Sequence, residues 1–392
     1  MSVRRITDAQ RRARLGARHL LAPAARCDDA GAIADAVLAL HATDPPTVHL
    51  SAWARMATPE PSAVEQRLAD KTLVRHHAMR RTLWVAGVPT MALMHEAATR
   101  KIAANECRLL VRMLTDSGID APERWIADAT AEVLALLRAE GPLNSRAIGK
   151  RLPRLNTGLR AGSGTKWEVA QSAHTRLLTL LGFEAVVTRT TPVGGWHTSE
   201  FAWLPTADWL GRELAGPPFA ESAAELAGAW LRRFGPATAE DLQWWMGWTK
   251  TLTRDALAAA GAEPVELSEG PGWLAPDDHD FADPGPWVAL LPTLDPTTMG
   301  WKHRRWYLPE TAARDAFDRA GNASPTVWAD GRVVGTWAQR ADGQIRIHWF
   351  EEVPARRRHE ITTRAEEVAG WIGETRFRVR FPSPLHKTLL TD

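Results

Sequence analysis

Three side chains that can move protons or bind water lie within four positions, at His41, Thr43 and Asp44. An imidazole can orient water or accept a proton near neutral pH, a hydroxyl both donates and accepts hydrogen bonds, and a carboxylate supplies negative charge. This set suits a hydrolysis in which one water is held against an electrophilic carbon. A helix-end histidine, a capping threonine and a turn aspartate would give the same spacing, so the spacing alone leaves both interpretations open.

The elements around this segment determine how firmly its side chains are held. An apolar face predicts a helix that is capped by Asp28 or Asp29 and ends at His41. Asp44-Pro45-Pro46 is expected to stop this helix, because proline disfavours helix at the preceding residue and cannot continue one. We therefore expect His41 and Thr43 at a fixed helix end rather than in a loose loop.

An internal repeat follows the mostly helical first segment. Leu137–Pro142 matches Leu231–Pro236 at a spacing of 94 residues, and in both copies a helix precedes Gly-Pro and a capped helix follows. A third helix, predicted at Lys166–Leu181 in the first copy, and a β-hairpin come next. Three helices and a hairpin describe a winged helix, which begins with a helix-turn-helix.

Strand-forming segments dominate after residue 285, and Asp330-Gly331 and Asp342-Gly343 are good hairpin turns. A small β-barrel fits this pattern, with a helix at about 359–373 and a last strand at 375–381. The predicted fold class is α+β. Four domains are predicted. The first, 1–125, is winged-helix-like and contains the candidate catalytic residues, 126–210 and 218–280 are the second and third winged helices, and 285–392 is the barrel domain.

Basic residues near the predicted wings and barrel are candidate DNA phosphate contacts. Arginine suits this role through its planar fork, and 41 of the 48 basic residues are arginine, although a GC-rich genome would also favour arginine codons. Solvated surface charges would look the same. The candidates are Arg75, Arg80, Arg81, Lys166, Arg356, Arg357 and Arg358.

Composition excludes several classes of protein. The formal net charge is only +2, and no run of about 18 apolar residues predicts a membrane span. The first residues are polar, and the two cysteines, Cys27 and Cys107, are too few for a zinc-cysteine site. We expect a cytoplasmic, nucleoid-associated protein with reduced thiols, no metal and no cofactor.

Six segments in this order resemble the AlkZ/YcaQ-like winged-helix DNA glycosylases. The resemblance spans nearly the whole chain and implies tandem winged helices and a β-barrel forming a C-shaped clamp on double-stranded DNA. It also implies excision of alkylated purines, interstrand crosslinks included. The segments are Leu40–Pro46, Leu50–Arg55, Val74–Leu83, Gly235–Trp245, Leu290–Pro296 and Asp330–Trp337.

The resemblance also implies a catalytic pair. The family has Gln-x-Gln or Gln-x-Asp where this sequence has His41 and Thr43. Hydrolysis would pass through an oxocarbenium-like sugar. Because a cationic N7-alkylguanine leaves without an acid, His41 and Thr43 need only hold the water, and Asp44 would add negative charge.

The nearest lysines in sequence are Lys71 and Lys101, so we expect a monofunctional hydrolase without a Schiff-base step. The expected partner is duplex DNA, preferentially damaged, bound by a monomer. The alternative is a non-catalytic DNA-binding protein, either a regulator or an architectural protein, which would prefer one DNA sequence over lesions.

Overall fold

The protein was analysed as a computed structural model, which describes residues 3–161, 169–281 and 283–391. The fold is mixed α+β. The helices are α1 (Asp8–Arg18), α2 (Ala30–Ala36), α3 (Pro45–Trp53), α4 (Ala63–Ala69), α5 (Val88–Met94), α6 (Arg100–Asp116), α7 (Pro122–Glu140), α8 (Ser145–Arg151), α9 (Ala173–Phe183), α10 (Thr206–Leu210), α11 (Phe219–Phe234), α12 (Ala239–Met246), α13 (Lys250–Ala259), α14 (Ala313–Ala316), α15 (Ala355–Ile372) and α16 (Pro384–Thr391).

The described strands form five small sheets, with orders β1-β10-β11, β2-β4-β3, β5-β9-β8, β6-β7 and β12-β13-β14-β15. All neighbouring strands are antiparallel except β1 and β10. The strands are β1 (Arg4–Arg5), β2 (Leu40–His41), β3 (Leu73–His77), β4 (Leu83–Gly87), β5 (Leu143–Asn144), β6 (Gly158–Ala161), β7 (Val169–Ser172), β8 (Val187–Pro192), β9 (Phe201–Pro205), β10 (Glu263–Leu267), β11 (Gly270–Leu274), β12 (Val288–Leu291), β13 (Thr326–Ala329), β14 (Arg332–Gln339) and β15 (Ile345–Trp349).

His41 lies on a strand, so its predicted position at a helix end is wrong. Asp29 caps α2 as expected, but this helix ends at Ala36, and Leu38 takes a left-handed φ of 64°. The residues from Val37 to Leu40 are all at most 1% exposed. The chain turns at Leu38, and Leu40 and His41 then pair with Val85 and Trp84, so that β2 joins β4. The sequence pattern of α2 does not encode this long-range pairing.

Asp44-Pro45-Pro46 begins a helix, so the prediction that it stops one is also wrong. Asp44 is the N-cap of α3, and the two prolines fill its first positions. Proline is tolerated there because the N–H groups of the first turn have no intrahelical partner. The segment between β2 and α3 is therefore held at both ends.

The two repeat copies have the same order of elements. In the first, α7, α8 and α9 precede the β8–β9 hairpin, and in the second, α11, α12 and α13 precede the β10–β11 hairpin. Asn144 and Thr238 cap α8 and α12, as the sequence predicts. The third helix of the first copy begins later than predicted, at Ala173, because β7 occupies Val169–Ser172. Lys166 lies outside the described residues.

The C-terminal strands form an open sheet, so the predicted barrel is not found among the described residues. Strands β12 to β15 follow one another in an antiparallel meander, and β12 and β15 are its two edges. Helix α15 begins at Ala355, four residues before the predicted start, and packs on β12. The strand predicted at 375–381 is wrong, because that described segment makes no ladder.

A buried ion pair connects the first segment to the loop after β12. Arg55 and Asp295 are both inaccessible to solvent and form two hydrogen bonds of 2.9 Å. Ser51 donates to the same carboxylate at 2.6 Å, and Arg55 also donates to Thr297 at 2.7 Å. Burial alone would raise the pKa of Asp295, but the Arg55 charge and these donors lower it. The largest hydrophobic cluster joins the same parts of the chain, since it contains residues from Leu15 to Ile372.

Within the described parts of the chain, no helix combines the length and apolar character that a membrane span requires.

Replacing Asp295 with asparagine should lower the free energy of unfolding by about 3–5 kcal/mol, because it leaves the Arg55 charge buried without a counterion. Chemical denaturation of the wild type and of Asp295→Asn measures this. Glu310→Gln is the matched control, since it removes an exposed pair with Arg305 and should change stability little. Equal effects of the two substitutions would contradict the assignment.

Candidate active site

His41 is held by the sheet and by the segment that follows it. Its backbone pairs with Trp84 on β4, and the two rings lie 4.5 Å apart. The Thr43 N–H donates to His41 Nδ1 at 3.4 Å. Because Nδ1 accepts this hydrogen, the neutral ring carries its own hydrogen on Nε2, a tautomer that is assigned from the hydrogen bonds.

The environment keeps His41 neutral. Only 3% of the residue is exposed. Burial, helped by the nearby positive charge of Arg80, lowers the pKa of His41 to about 3. At neutral pH the imidazole therefore has no charge and only a weak tendency to accept a proton, and it can orient a water molecule or another polar group.

Arg380 contacts both Thr43 and Asp44. Its side chain donates to the Thr43 carbonyl at 3.1 Å, and its backbone N–H donates to Asp44 Oδ2 at 3.4 Å. The Thr43 hydroxyl oxygen accepts the Leu83 N–H at 3.2 Å, so its hydrogen is available for donation.

Asp44 is a buried carboxylate that does not cap its own helix. Pro45 and Pro46 lack N–H groups, and no capping bond to the Asp44 side chain occurs within the described residues. Burial raises the pKa of Asp44 to about 6, although the Arg380 N–H and charge oppose the shift. The carboxylate is therefore mostly ionised at neutral pH and becomes protonated in mild acid.

His41 lines a cavity of about 300 Å³ where the first segment meets the second repeat copy and the C-terminal part. Thr43 and Asp44 are not among its described lining residues and face Arg380 instead. The structure thus keeps the three candidates in one short segment but brings only His41 into the cavity. The lining residues are His41, Arg80, Thr82, Trp244, Met299, Lys302, Arg304, Ala320, Gly321 and Asn322.

The three candidate arginines near β3 and β4 have different surroundings. Arg80 enters the cavity beside His41. Arg81 is exposed and pairs with Glu106 at 2.9 Å. Arg75 is only 1% exposed and stacks on Phe201, with its guanidinium carbon 4.5 Å from the ring centre. The Arg75 charge therefore lies in the interior and not on the surface where a phosphate would reach it.

The basic triplet forms the first turn of α15. Arg356 pairs with Glu360 at 3.1 Å, and Arg357 pairs with Asp330 at 2.9 Å and also with Glu360. Arg358 donates to the Val353 carbonyl and stacks on a tryptophan. Two of the three charges are thus paired within the protein.

Sequence reasoning missed Lys302 and Arg304 at this site. Both line the His41 cavity, although more than 250 residues separate them from His41 along the chain. The expectation that the nearest lysines are Lys71 and Lys101 holds only along the sequence. In space Lys302 is closer to the site, and its ammonium group pairs with Glu240. Trp244 is half-buried and lines the same cavity.

One group of described residues has spacing that a metal could use. The ligand atoms of Glu263, Asp277 and His279 lie within 4.8 Å of one another, but the group does not contribute to the His41 cavity. His279 contacts Glu263 at 3.5 Å and Arg4 at 3.3 Å, so a cation already lies beside it. We assign no metal to it.

The His41 ring should stay neutral and unchanged from pH 5 to pH 8, because its pKa is far below this range. Nitrogen-detected NMR of the imidazole rings measures this, with His41→Gln identifying the signal. The same ring in the urea-unfolded chain should titrate near the ordinary value of about 6.5. A midpoint near 6.5 in the folded protein would contradict the burial argument.

Comparisons with known proteins confirm the resemblance seen in the sequence. A curated relative, the "Interstrand DNA cross-link repair glycosylase" of Streptomyces sahachiroi, is 26% identical over 346 residues, covering 83% of this chain and 86% of the relative. The solved structure of "Streptomyces sahachiroi DNA glycosylase AlkZ" shares the fold, with a TM-score of 0.73, 22% identity, and coverage of 96% of this chain and 99% of that chain. A family model described as "DNA glycosylase AlkZ-like" matches residues 34–371. This chain therefore belongs to the AlkZ-like DNA glycosylase family.

Proposed function

We propose that this protein hydrolyses the N-glycosyl bond of alkylated purines of the N7-alkylguanine type in duplex DNA. Bulky adducts and interstrand crosslinks are included, since the curated relative is named as a crosslink repair glycosylase. The observation that carries the proposal is a buried, neutral His41 in the wall of a cavity that also contains three basic side chains.

The proposed reaction needs no general acid to protonate the leaving base. An N7-alkylguanine is already cationic, so the base departs as a neutral molecule once the bond between C1′ and N9 breaks. The sugar becomes oxocarbenium-like, and a water adds to C1′ and releases its extra proton to solvent, which leaves the abasic sugar. A cationic imidazole would repel this charge, whereas the neutral His41 does not.

In this proposal His41 and Thr43 hold the water. Nε2–H of His41 donates to the water oxygen in the cavity. The Thr43 hydroxyl has a free hydrogen for a second contact, but Thr43 is not among the described lining residues, so we assign the main part to His41. The lowered pKa of His41 favours water positioning over general-base catalysis, because so weak a base takes up a proton poorly.

Asp44 supplies the negative charge in this proposal. Its carboxylate is buried and only partly neutralised by Arg380, and Coulomb attraction is stronger away from bulk water. We therefore assign Asp44 the stabilisation of the oxocarbenium-like sugar through its field.

The two helix–helix–helix–hairpin units are proposed to act as winged helices in a C-shaped, monomeric clamp on damaged duplex DNA. We assign phosphate contacts to Arg80, Arg81 and Arg356–Arg358, of which Arg81 and Arg356 are the most exposed. Arg75 has no part in this assignment because it is buried.

The proposal predicts base release from a duplex that carries one N7-methylguanine. Alkali converts the abasic product into a strand break that a denaturing gel measures. His41→Ala should lower the release rate by about 100-fold, because the water loses a positioning partner. His359→Ala, on the surface helix α15, is the matched control and should be as active as the wild type.

Each further outcome of this experiment has a defined meaning. Strand breaks without alkali would contradict the monofunctional mechanism and point to Lys302 as an amine nucleophile. No base release from methylated or crosslinked duplex, together with a preference of about 1,000-fold or more for one sequence, would favour the non-catalytic alternative.

The pH dependence of base release should report Asp44. Because its pKa is about 6, the side chain is ionised above this pH and protonated below it, so the rate at pH 5 should be about one tenth of the plateau. His41 contributes no inflection between pH 5 and pH 8. Single-turnover rates measure this, and Asp44→Asn should give a lower, flat profile. A flat wild-type profile would contradict the role of Asp44.

A further inference from the structure

Trp244 lies between two arginines in the His41 cavity. The guanidinium carbon of Arg80 is 4.3 Å from the centre of the indole, and that of Arg304 is 5.2 Å away. Arg304 also stacks on Phe317 at 4.0 Å. Stacking of this kind fixes the plane of a guanidinium while leaving its N–H groups free to donate.

Neither arginine has a carboxylate partner within the described ranges of the chain. Arg80 makes no hydrogen bond through its guanidinium to any described residue, and its Nε is buried. Arg304 donates from Nε to the Trp301 carbonyl at 3.0 Å, a neutral acceptor that leaves the positive charge uncompensated. Buried or half-buried charges are usually paired, so this arrangement requires an explanation.

The cavity wall concentrates positive charge. Of its described lining residues none is acidic, and His41 is neutral. Lys302 also lines it, although its ammonium group is shared with Glu240. Burial and the repulsion from Arg304 lower the pKa of Arg80 to about 10. An anion in the cavity would relieve this repulsion.

The backbone holds Arg80 in this position. Arg80 and Arg81 both have left-handed φ angles, 53° and 61°, which residues other than glycine adopt at a cost. A Cβ at Gly247 would lie only 3.2 Å from Arg80 Cγ, so α12 ends closely against this side chain. Such strain is characteristic of functional sites, where a side chain is held ready for a ligand.

We infer that Arg80 and Arg304, stacked on Trp244, form a binding site for one phosphodiester of the DNA backbone beside the lesion. The planar forks match phosphate oxygens, and the adjacent His41 would then face the sugar attached to that phosphate. The placement relative to the lesion depends on the proposed function, whereas phosphate binding itself does not require base release.

The test measures affinity for an undamaged duplex by fluorescence anisotropy between 50 and 200 mM salt, so failure of catalysis cannot affect it. The magnitude of the slope of log affinity against log salt falls by about 0.9 for each DNA phosphate that the protein no longer neutralises. Because both arginines bind one phosphate, the double variant Arg80→Gln/Arg304→Gln should reduce the slope by this amount and each single variant should reduce it by part of this amount. Each single variant should also weaken binding about tenfold at 100 mM salt. Arg305→Gln is the matched control, since Arg305 is exposed and lies outside this cavity.

Thermal unfolding of each variant separates binding from folding. Arg80→Gln removes no hydrogen bond to a described residue, so this variant decides the question even if Arg304→Gln unfolds. Unchanged slopes in folded Arg80→Gln would overturn the inference. A second result would also overturn the inference. In that case inorganic phosphate protects the wild type, but not Arg80→Gln, from thermal unfolding, while the two proteins have equal salt slopes for DNA. The cavity would then be a site for free phosphate.

Discussion

The buried pair between Arg55 and Asp295 is the constraint on which the candidate site depends. Two charges inaccessible to solvent are tolerable only when they are paired and hydrogen-bonded, and Ser51 and Thr297 add hydrogen bonds to those between the two side chains. The pair attaches the end of α3, the helix whose N-cap is Asp44, to the loop after β12. Two of the segments that resemble the family, Leu50–Arg55 and Leu290–Pro296, are therefore in contact through this ion pair. Their contact has a structural role and not a catalytic one.

The same loop extends from this joint to the cavity. Its later residues are fixed by a second buried carboxylate. Asp241 accepts the N–H of Thr238, the N-cap of α12, and also the N–H groups of Lys302 and His303 at 2.9 Å. Arg304 follows directly. The cavity around His41 is thus bounded by side chains whose positions depend on two buried carboxylates in distant parts of the sequence. We regard the site as a property of the assembled chain rather than of its first segment.

The features that could be predicted from the sequence are those that depend on interactions between residues close together in the chain. A helix cap acts within one helical turn, and the cap predicted at Asp28 or Asp29 is found at Asp29. The capped helix predicted after Gly-Pro is also found in both repeat copies, at Asn144 and Thr238. The errors involve long-range pairing. His41 becomes a strand residue only because β4 lies beside it, and Arg304 joins the cavity through contacts that no local pattern encodes. The C-terminal sheet is open because its edge strands, β12 and β15, do not pair with each other. The local sequence pattern does not encode whether two such edge strands pair.

The proline pair that opens α3 has a consequence beyond helix geometry. Backbone N–H groups ordinarily donate hydrogen bonds to a carboxylate at a helix start and stabilise its negative charge. Such a carboxylate has a structural role and contributes little to catalysis. The two prolines remove the first two of those donors, and the Thr47 N–H donates to the Asp44 carbonyl instead, at 3.1 Å. The positive end of the helix still attracts the anion. The start of the helix thus positions the Asp44 carboxylate, and no capping hydrogen bond from the described residues to its side chain stabilises the charge. The sequence Asp-Pro-Pro therefore leaves this negative charge available to act on a bound molecule.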